Sequence, residues 1–336
     1  ALKIQQAYIP EPNLGSPSTL TNNMSFLWPY SSDQYRADYM DVRVDHRISN
    51  NNDFYAGFSQ RYSPYALAGS WPLLGWTRNR HHMSIVANDT YTLSPTKVLD
   101  LRFGGVLDRQ VDGGENHGFQ PINGKDAVAT IGLEGVNSQN LSAAGFPSIG
   151  ITGYNTLSVN PAGTQSVNTL SYAGALTWVD NRHTWKFGSE LRTFSRLDSS
   201  VPTGSFGSFT FTGIMSGSPY ADFLLGLPRT STRLDPLTNR TTRGYELGIF
   251  AEDTFKITPK LTLSYGLRWD YFGAAKYDDG LQYNWDAKTG DVIVNQSALS
   301  KVSTAYPTNI NVVAGNPIQN PEKTNFAPRL GFAYQI

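Results

Sequence analysis

Between Leu261 and Tyr271 the chain sets Leu261, Leu263, Tyr265, Leu267, Trp269 and Tyr271 at alternate positions, with Thr262, Ser264, Gly266, Arg268 and Asp270 between them. A period of two puts the first set on one face of a strand and the second on the other. Six large apolar residues over about 11 positions match a tilted strand crossing a bilayer. The preceding stretch mirrors it. Tyr245, Leu247, Ile249, Ala251 and Phe255 alternate with Glu246, Gly248, Glu252 and Thr254, and Thr258-Pro259-Lys260 is a tight turn between the two.

The pattern recurs along the chain. Met40, Val42, Val44 and Ile48 share one face, and Asp41, Arg43, Asp45 and Arg47 the other. A turn at 49–52 leads back through Phe54, Ala56 and Phe58. A second pair, about 78–91 and 97–109, turns at 94–96; Leu99, Leu101 and Phe103 oppose Asp100 and Arg102. A third, 170–179 and 184–194, turns at 180–183; Leu176, Trp178, Trp185, Phe187 and Leu191 point out, Lys186, Glu190 and Arg192 in. Between the pairs lie long connections at 63–78, 110–169, 195–243 and 273–325, the last holding a small hairpin at 283–294, and 326–336 starts one more strand.

Short turns therefore alternate with long loops. Outer-membrane barrels segregate loop lengths this way, with turns in the periplasm and loops outside; soluble sandwiches do not. The prediction is an all-β fold, an antiparallel transmembrane β-barrel in the bacterial outer membrane, with residues 1–33 a loop or lead-in and 34–336 the barrel. About nine membrane strands are expected, and open edges are not tolerated in lipid, so the expected object is an incomplete sector of a larger barrel. Its surroundings would be outer-membrane lipid.

Composition agrees. Lys+Arg and Asp+Glu balance at 27 each, which argues against a nucleic-acid partner. Charged residues are 16% of the chain, below the roughly 25% of soluble domains, while aromatics reach 12%. A mean hydropathy of −0.35 excludes a helical membrane protein but suits a barrel whose strands are half polar. There is no cysteine, so disulfides and thiolate chemistry are excluded. Ala1-Leu2-Lys3-Ile4 does not open a signal peptide, so the export signal is expected to be removed or to lie outside this sequence.

Sites of bond-making chemistry are not in view. Nucleophile elbows, phosphate loops, dinucleotide fingerprints and the zinc-protease helix motif are absent. His81 and His82 are adjacent, so on a strand they face opposite ways and cannot share an ion. His117, in a glycine-rich loop, is a candidate ligand contact, and Asp278-Asp279 reads as a solvated turn. Trp28, Tyr30, Trp71, Trp76, Tyr91, Tyr271 and Phe272 are candidates for interfacial girdles, with ordinary loop packing the alternative. No catalytic residue, metal or cofactor is expected. Asp41, Arg43, Asp45, Arg47, Glu246, Glu252, Arg268 and Asp270 are expected to face the lumen as a wall of mixed-sign pairs. Loops 110–169 and 273–325 are the candidate substrate-binding segments.

Three segments resemble a known family. Phe250-Ala251-Glu252-Asp253-Thr254-Phe255-Lys256-Ile257-Thr258-Pro259-Lys260-Leu261-Thr262-Leu263-Ser264-Tyr265-Gly266-Leu267-Arg268-Trp269 is similar to a hairpin of TonB-dependent receptors. Ser218 to Pro228 and Asn325 to Tyr334 are similar to segments of the Oar-like branch, whose members carry a carboxypeptidase-regulatory-like domain. The resemblance implies a barrel of about 22 strands with a plug inside, and uptake of a scarce nutrient (siderophore, glycan or peptide class) energised through TonB. It covers 170–336 well and 34–110 only through the strand pattern. Neither a plug domain nor an energy-coupling box is found in the sequence, so contact with TonB is assigned to missing N-terminal regions. The alternative is a structural or adhesive outer-membrane barrel binding a partner through its loops; a soluble secreted β-sandwich or propeller is a third.

Overall fold

The computed structural model describes residues 1–16, 36–67, 71, 74–113, 124–135, 145–159, 162–199, 206–233, 240–302, 304, 306–318 and 320–336. In chain order the elements are α1 (Leu2–Tyr8), β1 (Asp38–Ser49), β2 (Asn52–Leu67), β3 (Trp76–Ser94), β4 (Lys97–Asp112), α2 (Gly124–Ile131), β5 (Ser148–Ile151), β6 (Gly163–Asp180), β7 (His183–Asp198), β8 (Ser208–Phe211), α3 (Pro219–Leu225), β9 (Thr230–Thr232), β10 (Arg240–Thr258), β11 (Leu261–Phe272), β12 (Lys276–Tyr277), β13 (Tyr283–Trp285), β14 (Val292–Val294), β15 (Val312–Ala314) and β16 (Asn325–Tyr334). No helix among the described residues is long and apolar enough to cross a membrane.

Nine long strands make one antiparallel sheet in the order β1-β2-β3-β4-β6-β7-β10-β11-β16. Among the described residues, β1 and β16 each keep one unpaired edge. Three of the four tight turns are set the same way. Ser49, Ser94 and Thr258 each end a strand just after a register shift. The hydroxyl of each accepts from the amide two residues on, at Asn51, Thr96 and Lys260. Such local hydroxyl bonds stabilise a turn against continuing the ladder. The fourth turn instead uses Asn181 at φ 53, a left-handed conformation that asparagine tolerates.

The turns step steadily along the sheet. The row through Asn52 runs across Tyr91, Leu99, Leu176 and Phe187 to Ala251. The row through Lys97 reaches Trp178, Trp185 and Asp253; that of His183 reaches Phe255; the last turn closes at Thr258. Ala251 to Thr258 over six strands is an advance of about one residue per strand. With ~3.4 Å per residue and ~4.8 Å between strands, bringing all four turns onto one rim requires a tilt of about 35–40°. That is the tilt of outer-membrane barrels.

The strands run further than the alternation predicts. β2 and β3 enter 63–78, β4 and β6 enter 110–169, and β7 and β10 enter 195–243. β3 and β10 reach 19 residues each, well beyond the ~9–11 that cross a bilayer. Past the membrane both faces meet water, so the apolar alternation fades while backbone pairing continues.

The long connections are not structureless. Ile4 and Tyr8 of α1, Leu74, Ala127, Phe146, Ile149, Ile151, Leu157, Phe211 and Phe223 pack into one buried core. These residues come from four stretches: residues 1–33, read as a loop or lead-in, and the connections after β2, β4 and β7. A small sheet, β5-β8-β9, and the three helices frame this cap. The connection at 273–325 folds separately. β13 and β14 form the expected hairpin, and β15 adds to it in parallel.

Candidate functional site: the charged face and the loop cap

Register decides which side chains share a face, because directly opposed residues point the same way. From Arg43 the row passes through Gly57, Val86, Gly104, Ser171, Arg192 and Glu246; from Asp45 it passes through Tyr55, Asn88, Arg102, Ala173, Glu190, Gly248 and Asp270. Asp41 and Arg47 alternate with these on β1, Glu252 opposes Lys186, and Arg268 opposes Phe250. All eight residues named from the sequence as lumen-facing thus lie on one side of the sheet.

That side is laced with ion pairs of both signs. Within strands, Arg43 binds Asp45 at 2.7 Å, Arg102 binds Asp100 at 2.6 Å, and Arg268 binds Asp270 at 2.9 Å. Across strands, Arg47 meets Asp53 at 3.0 Å, Lys186 meets Glu252 at 4.0 Å, Arg268 reaches Glu190 at 3.8 Å, and Arg192 pairs with Glu246. Most of these groups are well exposed, so each pair contributes at most about 1 kcal/mol. Lys186, Glu252, Arg268 and Arg329 line a hollow of about 230 Å³ on β7, β10, β11 and β16. Its mixed charges favour no one sign of ligand. Phe250 also stands on this face, its ring over Gly188, where a Cβ would come within 2.5 Å of it.

The opposite face is apolar, carrying Met40, Val42, Ile85, Leu101, Tyr172, Leu191, Ile249, Leu267 and Phe332 in register. Two carboxylates interrupt it, Asp89, which opposes Phe54 and Leu101, and Asp253. Asp253 is 1% exposed. Its Oδ2 lies 2.6 Å from His183 Nδ1 and accepts from the Tyr265 hydroxyl at 2.9 Å. The His183 ring stacks on Phe255 at 4.1 Å. A charge facing lipid is tolerated only when paired and hydrogen-bonded. The sequence carried a signal for it: Glu252 and Asp253 are consecutive, so on a strand they cannot both face the lumen.

The two candidate loops part company. Loop 110–169 supplies five of the ten cap-core residues, whereas the core takes none from 273–325. In the cap, α3 is firmly ended. The Ser218 hydroxyl accepts from the Ala221 amide, Pro219 starts the helix, and Gly226 closes it at φ 72. Buried Asp222 accepts from the Met215 and Ser216 amides and the Ser216 hydroxyl. The Ser216 hydroxyl first, with the backbone amides, holds its carboxyl below the usual range.

Other expectations shift. Asp278-Asp279 is not a free solvated turn. Asp278 accepts from the Thr241 amide at 2.9 Å, and Asp279 lies 3.4 Å from Arg240, tying the last loop to β10. The Thr241 amide keeps the Asp278 carboxyl below its ordinary range. Trp71 is no girdle residue; it packs on the cap core and donates to the Asn155 carbonyl at 3.2 Å. Phe272 lies on the charged face, opposite Glu246, while Tyr91 and Tyr271 lie on the apolar one. The His81 ring lies tilted against Tyr62 at 4.4 Å, and His82 turns to the other side, 3.9 Å from Asp108. Trp28, Tyr30 and His117 lie outside the described residues. No group of three metal-ligating side chains occurs among the described residues.

A nine-stranded, tilted, antiparallel sheet with one apolar and one ion-paired face is the wall of a membrane barrel. The profile of the outer membrane beta barrel domain family matches residues 1–336, and the chain belongs to that family. It is a protein of the bacterial outer membrane, in contact with its lipid. No curated protein sequence matches it. Among solved structures it is similar to the copper transporter OprC, at 10% identity and a TM-score of 0.38, over 88% of this chain and 32% of that one, so that it spans about a third of that protein's length.

Proposed function

We propose that this chain is barrel wall of a TonB-dependent importer of the Oar-like branch, taking up a scarce nutrient of the siderophore, glycan or peptide class. The observation that carries the reading is the run of three family-like segments, Ser218 to Pro228, Phe250 to Trp269 and Asn325 to Tyr334, in the family's order. Two of them are neighbours in space, since β16 pairs with the β10–β11 hairpin. In this reading the ion-paired face lines the lumen and meets water or plug. The cap and the 273–325 loop meet substrate outside. TonB supplies the work, a plug carried outside these residues fills the lumen, and the chain itself makes and breaks no bond.

The test is growth of cells expressing or lacking the protein on single sources of iron, glycan or peptide, with and without TonB. The expected result is protein-dependent growth on one source, abolished by loss of TonB. Growth independent of TonB, or no growth phenotype combined with loss of surface adhesion, overturns the reading in favour of a structural or adhesive barrel.

A further inference from the structure

The cap is assembled from three connections that leave different hairpins; a shared core joins all three, and the β5–β8 ladder also ties 110–169 to 195–243. We propose that α1 is a detachable strap over this core, so that its release loosens the cap around the β5–β8 ladder and bares an apolar surface to the outside. Ile4 and Tyr8 are the buried residues of α1, four positions apart and so on one helix face. Tyr8 sets its ring edge-on against Phe146 at 4.8 Å, and α1 packs against α2, which contributes fully buried Ala127. Among the described residues, no backbone hydrogen bond ties α1 to another element.

The β5-β8-β9 part of the cap is tied by backbone. β8 is laddered on both sides, to β5 and β9, and α3 is capped at both ends. Elements held by side-chain contacts alone open at lower cost than laddered ones. The joint made by α1, two side chains inserted into the core, is therefore one that opens at lower cost than the laddered sheet beneath it. The inference goes beyond the importer reading and does not rest on it, because an adhesive barrel would use the same strap.

These residues hold no cysteine, so single reporters in them read cleanly once any cysteine elsewhere in the full-length protein is replaced. Ala127→Cys sits in the cap core, and Ala298→Cys, at a site 1% exposed, sits in the separate 273–325 loop. Each is placed in the full-length protein in intact cells, alone and with Ile4→Asp or Tyr8→Ser. A membrane-impermeant maleimide then measures labelling rates. Either strap substitution should speed labelling at Ala127→Cys about tenfold or more, with Ala298→Cys unchanged and the heat-modifiable barrel band retained. Unchanged labelling at Ala127→Cys overturns the proposal, as does fast labelling there without any strap substitution. Reactivity at both reporters with loss of the barrel band also overturns it, since α1 would then support the whole fold.

Discussion

The sheet and the cap obey opposite rules. In the cap, Phe223, Leu74 and Leu157 are at most 1% exposed and touch one another's neighbours. In the sheet, Ile249 and Leu267 are about half exposed and Leu330 and Phe332 are 80% exposed. The same residue types serve both because the solvents differ. Lipid covers the apolar face of the sheet, so its side chains need no protein partner, and the backbone ladder holds the strands. The cap stands in water and must make its own core. Stability in the two regions should therefore respond to different substitutions.

The largest effect is expected in the cap. Phe223 stacks edge-on with Phe211 at 5.5 Å. Phe223→Ala should cost the cap about 3–5 kcal/mol through lost burial and a cavity. Limited proteolysis on intact cells should then cut within 110–169 and 195–243, while the barrel still shifts on heating in gel electrophoresis. A barrel that fails to form would mean that the two regions are one cooperative unit.

The converse substitution is Leu267→Arg, on the apolar face of β11. An arginine facing mid-membrane lipid costs about 2–4 kcal/mol. The same charge at Ser264, on the opposite face, should cost little. Urea titration in lipid vesicles separates the pair; equal destabilisation would show that the assignment of faces is wrong. Protease resistance of the cap should be the same in both variants.

Acid sharpens the contrast. The folded carboxyl of Asp222 titrates below its ordinary value, because Ser216 and backbone amides bind the charged form. Its contribution is therefore complete above the unfolded value of about 3.9 and is lost as pH falls through the folded one. Protease sensitivity of the cap should rise on acidification below about pH 4, before the sheet is affected. Asp222→Asn should weaken the cap at neutral pH and flatten that response. An unchanged acid response in Asp222→Asn would assign it to another group.

How much of this was legible in the sequence follows from the range of the interactions. Strand identity, turns and the two faces come from a period of two, which is local, and Leu261 to Tyr271 carries it in full. The cap core joins Ile4 to Phe223, and no local period records such a contact. The start and stop of α3 are local signals, Ser218-Pro219 and Gly226, but its seven residues are too few for a helical period to stand out from the surrounding loop. Asp253 is hard to see by a period of two, because Ala251 and Phe255 already mark the apolar face on either side of it. The register exposes it, since Trp185 and Tyr265 oppose it on the apolar face.

The smallest effect tests the charged face. Arg192 and Glu246 pair across β7 and β10, with the arginine side chain half exposed. A double-mutant cycle with Arg192→Ala and Glu246→Ala should give a coupling of roughly 0.2–1 kcal/mol, shrinking as salt is raised. A pair of that strength cannot hold two strands together; the ladder from Arg240↔Asp198 to Phe255↔His183 does that. What the pair can do is keep both charges neutralised on a face that must stay wet without favouring one ion. Coupling well above 1 kcal/mol and insensitive to salt would mean that the pair is shielded from water. The charged face would then be packed against protein, and the hollow beside Lys186 and Glu252 would be a contact surface instead of an open wall.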